Sequence, residues 1–374
     1  MMNRNGIRVA ALGAALVCML LTSAQAEAGG TIKIDDRHSV SIGVGLRTSI
    51  NSVEDAAPSG EDRSKDFQLD SVRLYVNGQL HKNIFFEYNT ERDAAGNAHV
   101  LDALVKLEFN DLFNIWAGRM LPPSDRSNLD GPYYLNAWDF PFVQEYPAIF
   151  AGRDDGAALW GQIGGGKFKY QVGAFEGTGE VDPGPDGILG TGDDLVGPNG
   201  DDNLLYAGRL VLNLWQPEPG YYNSSAYYGA KDVLAIGAAG MAQHNALGAA
   251  AIPGDFMGWN LDALLEKKLG AAGVVNLEGA YYDYDRDNVS PDSKGYFVLG
   301  SFLLGNKTGI GKLQPAVRYQ SLDTDGVGIH KRLDLGLNYI IDGHNARVSL
   351  LYGIDDPAAG DASNLVRIGL QLQI

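Results

Sequence analysis

Apolar and polar residues alternate with a period of two along most of the chain. Over 39–50, Val40, Ile42, Val44, Leu46, Thr48 and Ile50 share one side, and Ser41, Gly43, Gly45, Arg47 and Ser49 share the other. Val72, Leu74 and Val76 oppose Arg73, Tyr75 and Asn77. Leu333, Leu335, Leu337, Tyr339 and Ile341 oppose Arg332, Asp334 and Asn338. Successive side chains of a strand point to opposite faces, so the rhythm predicts strands with one apolar and one polar face. Sixteen such segments occur, at 39–50, 67–80, 83–92, 98–109, 113–120, 154–163, 167–177, 203–214, 233–243, 256–268, 273–285, 295–304, 312–322, 329–341, 345–355 and 364–374. Most run about 9–13 residues, the length a tilted strand needs to cross a bilayer. Segment 256–268 also admits a short helix around Leu261 to Leu269.

The last segment keeps its apolar face to the final residue. Val366, Ile368, Leu370, Leu372 and Ile374 alternate with Arg367, Gly369, Gln371 and Gln373. A closed barrel needs its last strand to pair with its first, because an open edge in lipid leaves backbone groups unsatisfied. Connections after even-numbered segments are mostly short (81–82, 110–112, 164–166, 269–272, 342–344). Those after odd-numbered segments are mostly long (51–66, 121–153, 178–202, 244–255, 286–294). The pattern predicts an all-β fold, a transmembrane antiparallel β-barrel of 16 strands with both termini periplasmic. Residues 215–232 break the rhythm, being long where a short turn is expected. A soluble sandwich would also alternate, but it needs neither such long strands nor an apolar last residue.

Composition sharpens this picture. Arg4 and Arg8 precede an apolar run from Val9 to Leu21, and Ala24-Gln25-Ala26 is a cleavage pattern; 1–26 therefore reads as a signal peptide and 27–374 as one barrel domain. Cys18, the only cysteine, lies in that leader, which leaves the rest of the chain without thiol chemistry. The net charge is −17, and loss of Arg4 and Arg8 deepens it by two, which disfavours nucleic acid as a partner. No later stretch is long and apolar enough for a transmembrane helix.

Four stretches carry a resemblance: FQLDSVRLYVNGQLHKNIFFEYNTE (67–91), LDALVKLEFNDLFNIWAGRMLPP (101–123), GRDDGAALWGQIGGGKFKYQVGAFEG (152–177) and GYYNSSAYYGAKDVLAIGAA (220–239). Together they make the chain resemble the phosphate-selective porin O and P family of outer-membrane porins. The resemblance implies a sixteen-stranded barrel, a homotrimer, and passive passage of small hydrophilic solutes and ions, including anions such as phosphate. The long 215–232 connection looks like a feature of that family.

With polar faces inward, Arg47, Arg73, Arg318, Arg332, Arg347 and Arg367 point into the lumen from segments that closure makes neighbours, joined by Lys106 and Asp102. Such a sector suits solute selection. Loop 121–153 is rich in rings (Tyr133, Tyr134, Trp138, Phe140, Phe142, Tyr146), so it is expected to fold into the barrel rather than stand in water. Its Asp125, Asp130, Asp139 and Glu145 would then face the arginines across a constriction and set up a transverse field. Inward carboxylates at Glu87, Glu108, Asp262, Glu266 and Glu278 make the lumen mixed in sign, which favours a weakly selective pore over a dedicated phosphate channel. The loop 182–203 places Asp182, Asp186, Asp193 and Asp194 among glycines, a set of oxygen ligands that could hold Ca²⁺; acidic outer loops of this kind also suit cation-bridged lipopolysaccharide. No cofactor is required. The six histidines show no metal-ligand spacing, and no catalytic motif appears, so an enzyme is not expected. A complex-forming barrel, such as the sleeve of a porin–cytochrome conduit, is the alternative.

Overall fold

The computed structural model describes residues 29–93, 96–148, 151–182 and 195–374. Sixteen antiparallel strands form the wall: β1 (Ser39–Val53), β2 (Asp66–His81), β3 (Ile84–Arg92), β4 (Ala98–Asn110), β5 (Phe113–Met120), β6 (Asp154–Ile163), β7 (Phe168–Phe175), β8 (Leu205–Asn213), β9 (Val233–Ala249), β10 (Ile252–Lys268), β11 (Gly273–Asp285), β12 (Ser293–Leu304), β13 (Lys312–Thr324), β14 (Gly328–Asp342), β15 (Ala346–Asp356) and β16 (Ser363–Gln373). Each pairs with its sequence neighbours, and β16 pairs with β1 from Leu365↔Val53 to Gln373↔Gly45. The chain's last residue completes the seam: Val44 and Ile374 exchange both backbone hydrogen bonds, at 2.8 and 2.9 Å. No edge is left open, which is what lets such a sheet stand in hydrocarbon. A short strand, Gly30–Lys33, pairs with the start of β1.

The alternation sorts as expected. On β16, Ile368, Leu370, Leu372 and Ile374 are exposed outward while Gln371 and Gln373 are buried inward. Ile42, Val172, Leu261, Val298 and Leu335 continue the outward apolar surface around the wall.

Two readings of the chain are corrected. Residues 244–255 are not a long loop: β9 and β10 continue to a two-residue turn, with a register shift between Gln243 and Leu247. Asn245 takes φ 55°, the left-handed region that Asn tolerates, and this bulge interrupts the strict alternation read from the sequence. The helix around Leu261 is also absent. That stretch is strand throughout, with Phe256, Asn260, Asp262, Leu264 and Glu266 buried inward.

The barrel is not empty. Loops 121–153 and 215–232 enter it from opposite ends. Both leave the wall at prolines, Pro122-Pro123 after β5 and Pro217 and Pro219 after β8, residues that cannot donate to a ladder and so end the strand. Against the β5–β12 sector they bury an apolar core that includes Trp116, Met120, Leu121, Leu129, Val143, Trp160, Tyr221, Phe256 and Tyr282.

Candidate functional site

Loop 121–153 lies along the inner faces of β13–β16 and β1. Its backbone supplies mainly acceptors and the wall mainly donors, although Phe142 N–H donates to Gln320 Oε1 at 3.0 Å. Arg47 donates to the carbonyl of Trp138, and Arg347 donates to the carbonyls of Leu135 at 2.6 Å and Ala137 at 3.3 Å. Gln371 donates to Tyr133 O at 2.9 Å, Asn338 to Asn136 O at 3.1 Å and Arg318 to Asp139 O at 2.6 Å. Two inward glycines admit the loop's rings. A Cβ at Gly45 would sit 2.6 Å from the Tyr133 ring, and one at Gly369 would sit 2.5 Å from the Trp138 ring. The Arg47 guanidinium lies 4.1 Å from the centre of that indole.

This changes the reading of the arginines. Arg47, Arg318 and Arg347 are 5%, 3% and 0% exposed, covered by the loop they hold, so they do not line an open channel. Arg332 and Arg367 keep partial access to water. Both contact the Asp139 carboxylate, Arg332 at 3.5 Å, and Arg332 and Arg318 also bind Asp334. Burial pushes the Asp139 carboxyl up, but Arg367, Arg332 and Arg318 together hold it below the ordinary range. Of the loop's four carboxylates only Asp139 faces the arginine sector, and it does so in contact rather than across a gap. Glu145 pairs with Arg286 at 2.9 Å. Asp125 is fully buried, capping the short helix α1 (Arg126–Asp130) and accepting from Tyr146 and Tyr282 at 2.9 and 3.0 Å. Asp130 turns to the opposite side of the barrel. The expected transverse field across an open constriction is therefore replaced by a set of closed contacts.

Loop 215–232 packs on β7–β11, where the polarity is mixed. Carboxylates of β10 and β11 accept from the loop, while Lys169, Gln171 and Asn276 donate to the carbonyls of Tyr222, Tyr221 and Ser225. Glu266 accepts from the backbone N–H of Tyr227 at 2.8 Å and of Gly229 at 2.7 Å, and Glu278 accepts from Ser225 Oγ at 2.8 Å. Tyr228 between them takes φ 53°, a left-handed conformation that lets both flanking amides reach one side chain. The two loops also bind each other. Arg126 forms a two-pronged pair with Glu218 at 2.7 and 2.8 Å, each side chain 1% exposed, and donates to Ser224 O at 2.9 Å. The Glu218 carboxyl is pushed up by burial, yet Arg126 and Lys169 bring it down to about 2. Tyr221 stacks on Trp116 at 4.7 Å and donates to Leu121 O.

An open space lies elsewhere, between the loops and the β2–β4 wall. It holds about 1000 Å³. Tyr75, Phe85, Tyr134 and Tyr228 line it with Arg73, Lys106, Asp102, Glu108 and Arg153. The three cations sit against carboxylates: Arg73 on Glu91 at 2.6 Å, Arg153 on Asp102 at 3.0 Å, and Lys106 on Glu87. Of the eight wall residues singled out from the sequence, Arg73, Lys106 and Asp102 thus reach this space.

Three of the four candidate Ca²⁺ ligands, Asp186, Asp193 and Asp194, lie outside the described residues, as does the leader 1–26. Asp182 belongs to a short strand, Val181–Asp182, paired with Leu195–Val196.

No protein-family profile and no curated protein matches the chain. Solved structures do. The anion-selective porin from Comamonas acidovorans superposes with a TM-score of 0.60 at 16% identity, over 90% of this chain and 100% of that one. OprB of Pseudomonas putida, in its high-pH structure, gives 0.58 at 9% identity, over 90% and 94%. The trimer form of OmpT, an outer membrane protein of Vibrio cholerae, gives 0.53 at 14% identity, over 91% and 100%. At these identities the likeness shows the fold, and the fold is that of bacterial outer-membrane porins.

Proposed function

We propose that the protein is an outer-membrane porin that lets small hydrophilic solutes and ions diffuse passively. The observation that supports this most is the space of about 1000 Å³, lined by charged and aromatic side chains, inside a seamless wall that is apolar outside. In this reading the short-turn end and both termini are periplasmic, so loop 121–153 enters from outside and loop 215–232 from the periplasm. The resemblance to the phosphate-selective O and P family fits the long 215–232 connection. Dedicated phosphate selectivity has less support, because three of the cations facing the space, Arg73, Lys106 and Arg153, are already paired with carboxylates. Arg332 and Arg367, which keep partial access to water beside Asp139, and an anion-selective porin among the structural neighbours support passage of anions without excluding other solutes. The trimer form of OmpT supports a homotrimer here.

The test is single-channel recording in planar bilayers under chloride and then phosphate gradients. Stepwise currents are expected, with small reversal potentials of similar size in both salts. A large potential in phosphate alone would establish a phosphate channel. A silent bilayer containing correctly folded protein would overturn the porin reading.

A further inference from the structure

Where the two inserted loops and the acidic wall meet, charges do not balance. Six buried carboxyl side chains gather there among the described residues: Asp125 and Asp130 from loop 121–153, Glu218 from loop 215–232, and Asp262, Glu266 and Glu278 from β10 and β11. Three cations accompany them: Arg126, Lys169 and Arg209. Arg126 is committed to Glu218, and Arg209 to Asp262, which also accepts from Arg126 N. Lys169 donates to Tyr222 O and Asn223. Asp125 is surrounded by hydroxyl and amide donors, and Glu266 by two backbone N–H groups and Asn276. Of the tyrosines at this junction, Tyr227 donates to Glu218, and Tyr146 and Tyr282 donate to Asp125. Asp130 and Glu278, 6% and 5% exposed, are left without a cation of their own.

Between those two carboxyls stands a single hydroxyl. Ser225 Oγ contacts Asp130 Oδ2 and also Glu278 Oε1, the latter at 2.8 Å. A serine hydroxyl has one hydrogen to donate, and an ionised carboxylate has none. Two contacts from one hydroxyl therefore require a second hydrogen, and only a protonated carboxyl can supply it. Asp130 Oδ1 is buried with no partner, as expected of an acid whose charge is not solvated. Burial, with the Glu278 charge next to it, holds the Asp130 carboxyl well above the ordinary range.

We propose that Asp130, Ser225 and Glu278 form a proton-binding site that clamps the two inserted loops to each other and to the β11 wall, and that the clamp opens when its proton leaves. Deprotonation places two anions on one hydroxyl in a buried site, and the element that yields is loop 215–232, which carries the serine. The effect on current rests on the porin reading; the loop movement does not.

The test reads the loop directly. Ala226, next to Ser225, is 1% exposed. Full-length protein carrying Cys18→Ser and Ala226→Cys is folded in detergent and treated with a water-soluble thiol reagent at about pH 6 and about pH 9. The same is done in the added background of Glu278→Gln, whose amide supplies the missing hydrogen permanently. The ratio between backgrounds cancels the pH dependence of the thiol itself. From the lower to the higher pH, labelling should rise about tenfold more with Glu278 in place than in the Glu278→Gln background. Asp130→Asn should flatten the rise in the same way, which keeps the test sound if one variant folds poorly. Equal rises in all backgrounds would overturn the proposal. So would protection that follows millimolar calcium instead of pH, since a metal ion would then be supplying the missing positive charge. If labelling shifts but bilayers stay silent, the clamp stands and the porin reading fails.

Discussion

The two halves of the lumen hold their loops with opposite chemistry. On β13–β16 and β1 the wall is rich in arginine and amide groups, and it grips carbonyl oxygens of loop 121–153. On β10 and β11 the wall is rich in carboxylates, and it grips mainly amide and hydroxyl hydrogens of loop 215–232, with Asn276 returning one donor to Ser225 O. An inserted loop has no ladder partner, so every buried backbone group must find a side chain or water. A one-sided set of charges can satisfy only one kind of backbone group. Placing bases on one arc and acids on the other gives each loop a wall of the sign its exposed edge requires. Many of these charges are therefore scaffolding for the constriction, and the charges free to meet a solute are a smaller set.

The contact where the two systems meet gives the most severe way to break this arrangement. Arg126→Met leaves Glu218 buried and unpaired. Breaking a buried ion pair from one side costs about 3–5 kcal/mol, and it also removes the bond to Ser224 O that ties the loops together. The urea midpoint in detergent should fall, and open-channel conductance should rise as both loops loosen. Arg126→Met combined with Glu218→Leu should recover much of the midpoint, because no orphan charge remains. A single variant with unchanged midpoint and conductance would show that the loops are held independently.

A milder change separates scaffolding from selection. Arg347→Met deprives the carbonyls of Leu135 and Ala137 of their donor, at about 1–3 kcal/mol per buried group left unmade. Conductance should increase while the reversal potential stays nearly constant, since Arg347 is sealed from the solute. Arg367→Gln should do the reverse, shifting the reversal potential toward cations with little change in conductance. If Arg347→Met moves selectivity as much as Arg367→Gln, the arginine arc faces the solute after all.

The wall was legible in the sequence because strand periodicity is local. Each of the sixteen segments carries its own apolar face, and closure follows from the alternation running on to Ile374. The bulge at Asn245 escaped because residues 244–246 face a single residue of β10, and the break in alternation mimics a loop. The insertion of loop 121–153 was readable from its rings. The same argument applies to Tyr221, Tyr222, Tyr227 and Tyr228, and would have placed loop 215–232 inside too. What the sequence could not show is which inward charge ends beneath a loop. Arg347 and Arg367 sit on the same kind of strand face, yet one is sealed and the other reaches water. That difference depends on where a carbonyl 212 residues away comes to rest.

The smallest expected effect lies at His344, in the turn between β14 and β15. Its Nε2 donates to Ala226 O at 2.8 Å, and its ring lies 4.8 Å from Tyr134 of one loop and 4.8 Å from Tyr228 of the other. Burial, aided by the nearby Arg347 charge, pushes its pKa down to about 4. Between its ordinary value of about 6.5 and that value the unfolded chain takes up a proton before the folded one does, so the seam weakens as pH falls through that window and levels off below it. The clamp at Asp130 and Glu278 has the opposite sign: Asp130, buried beside a second carboxyl, holds its proton in the folded state, so the clamp weakens as pH rises. The two contacts together should give a conductance minimum at intermediate pH. His344→Gln, which keeps a donor for Ala226 O but cannot charge, should flatten the acid limb alone, and Glu278→Gln the alkaline limb alone. Conductance recorded from about pH 4 to about pH 9 on the three proteins checks this. If either variant flattens both limbs, one titrating group controls both loops and the division of the lumen into two opposite systems fails.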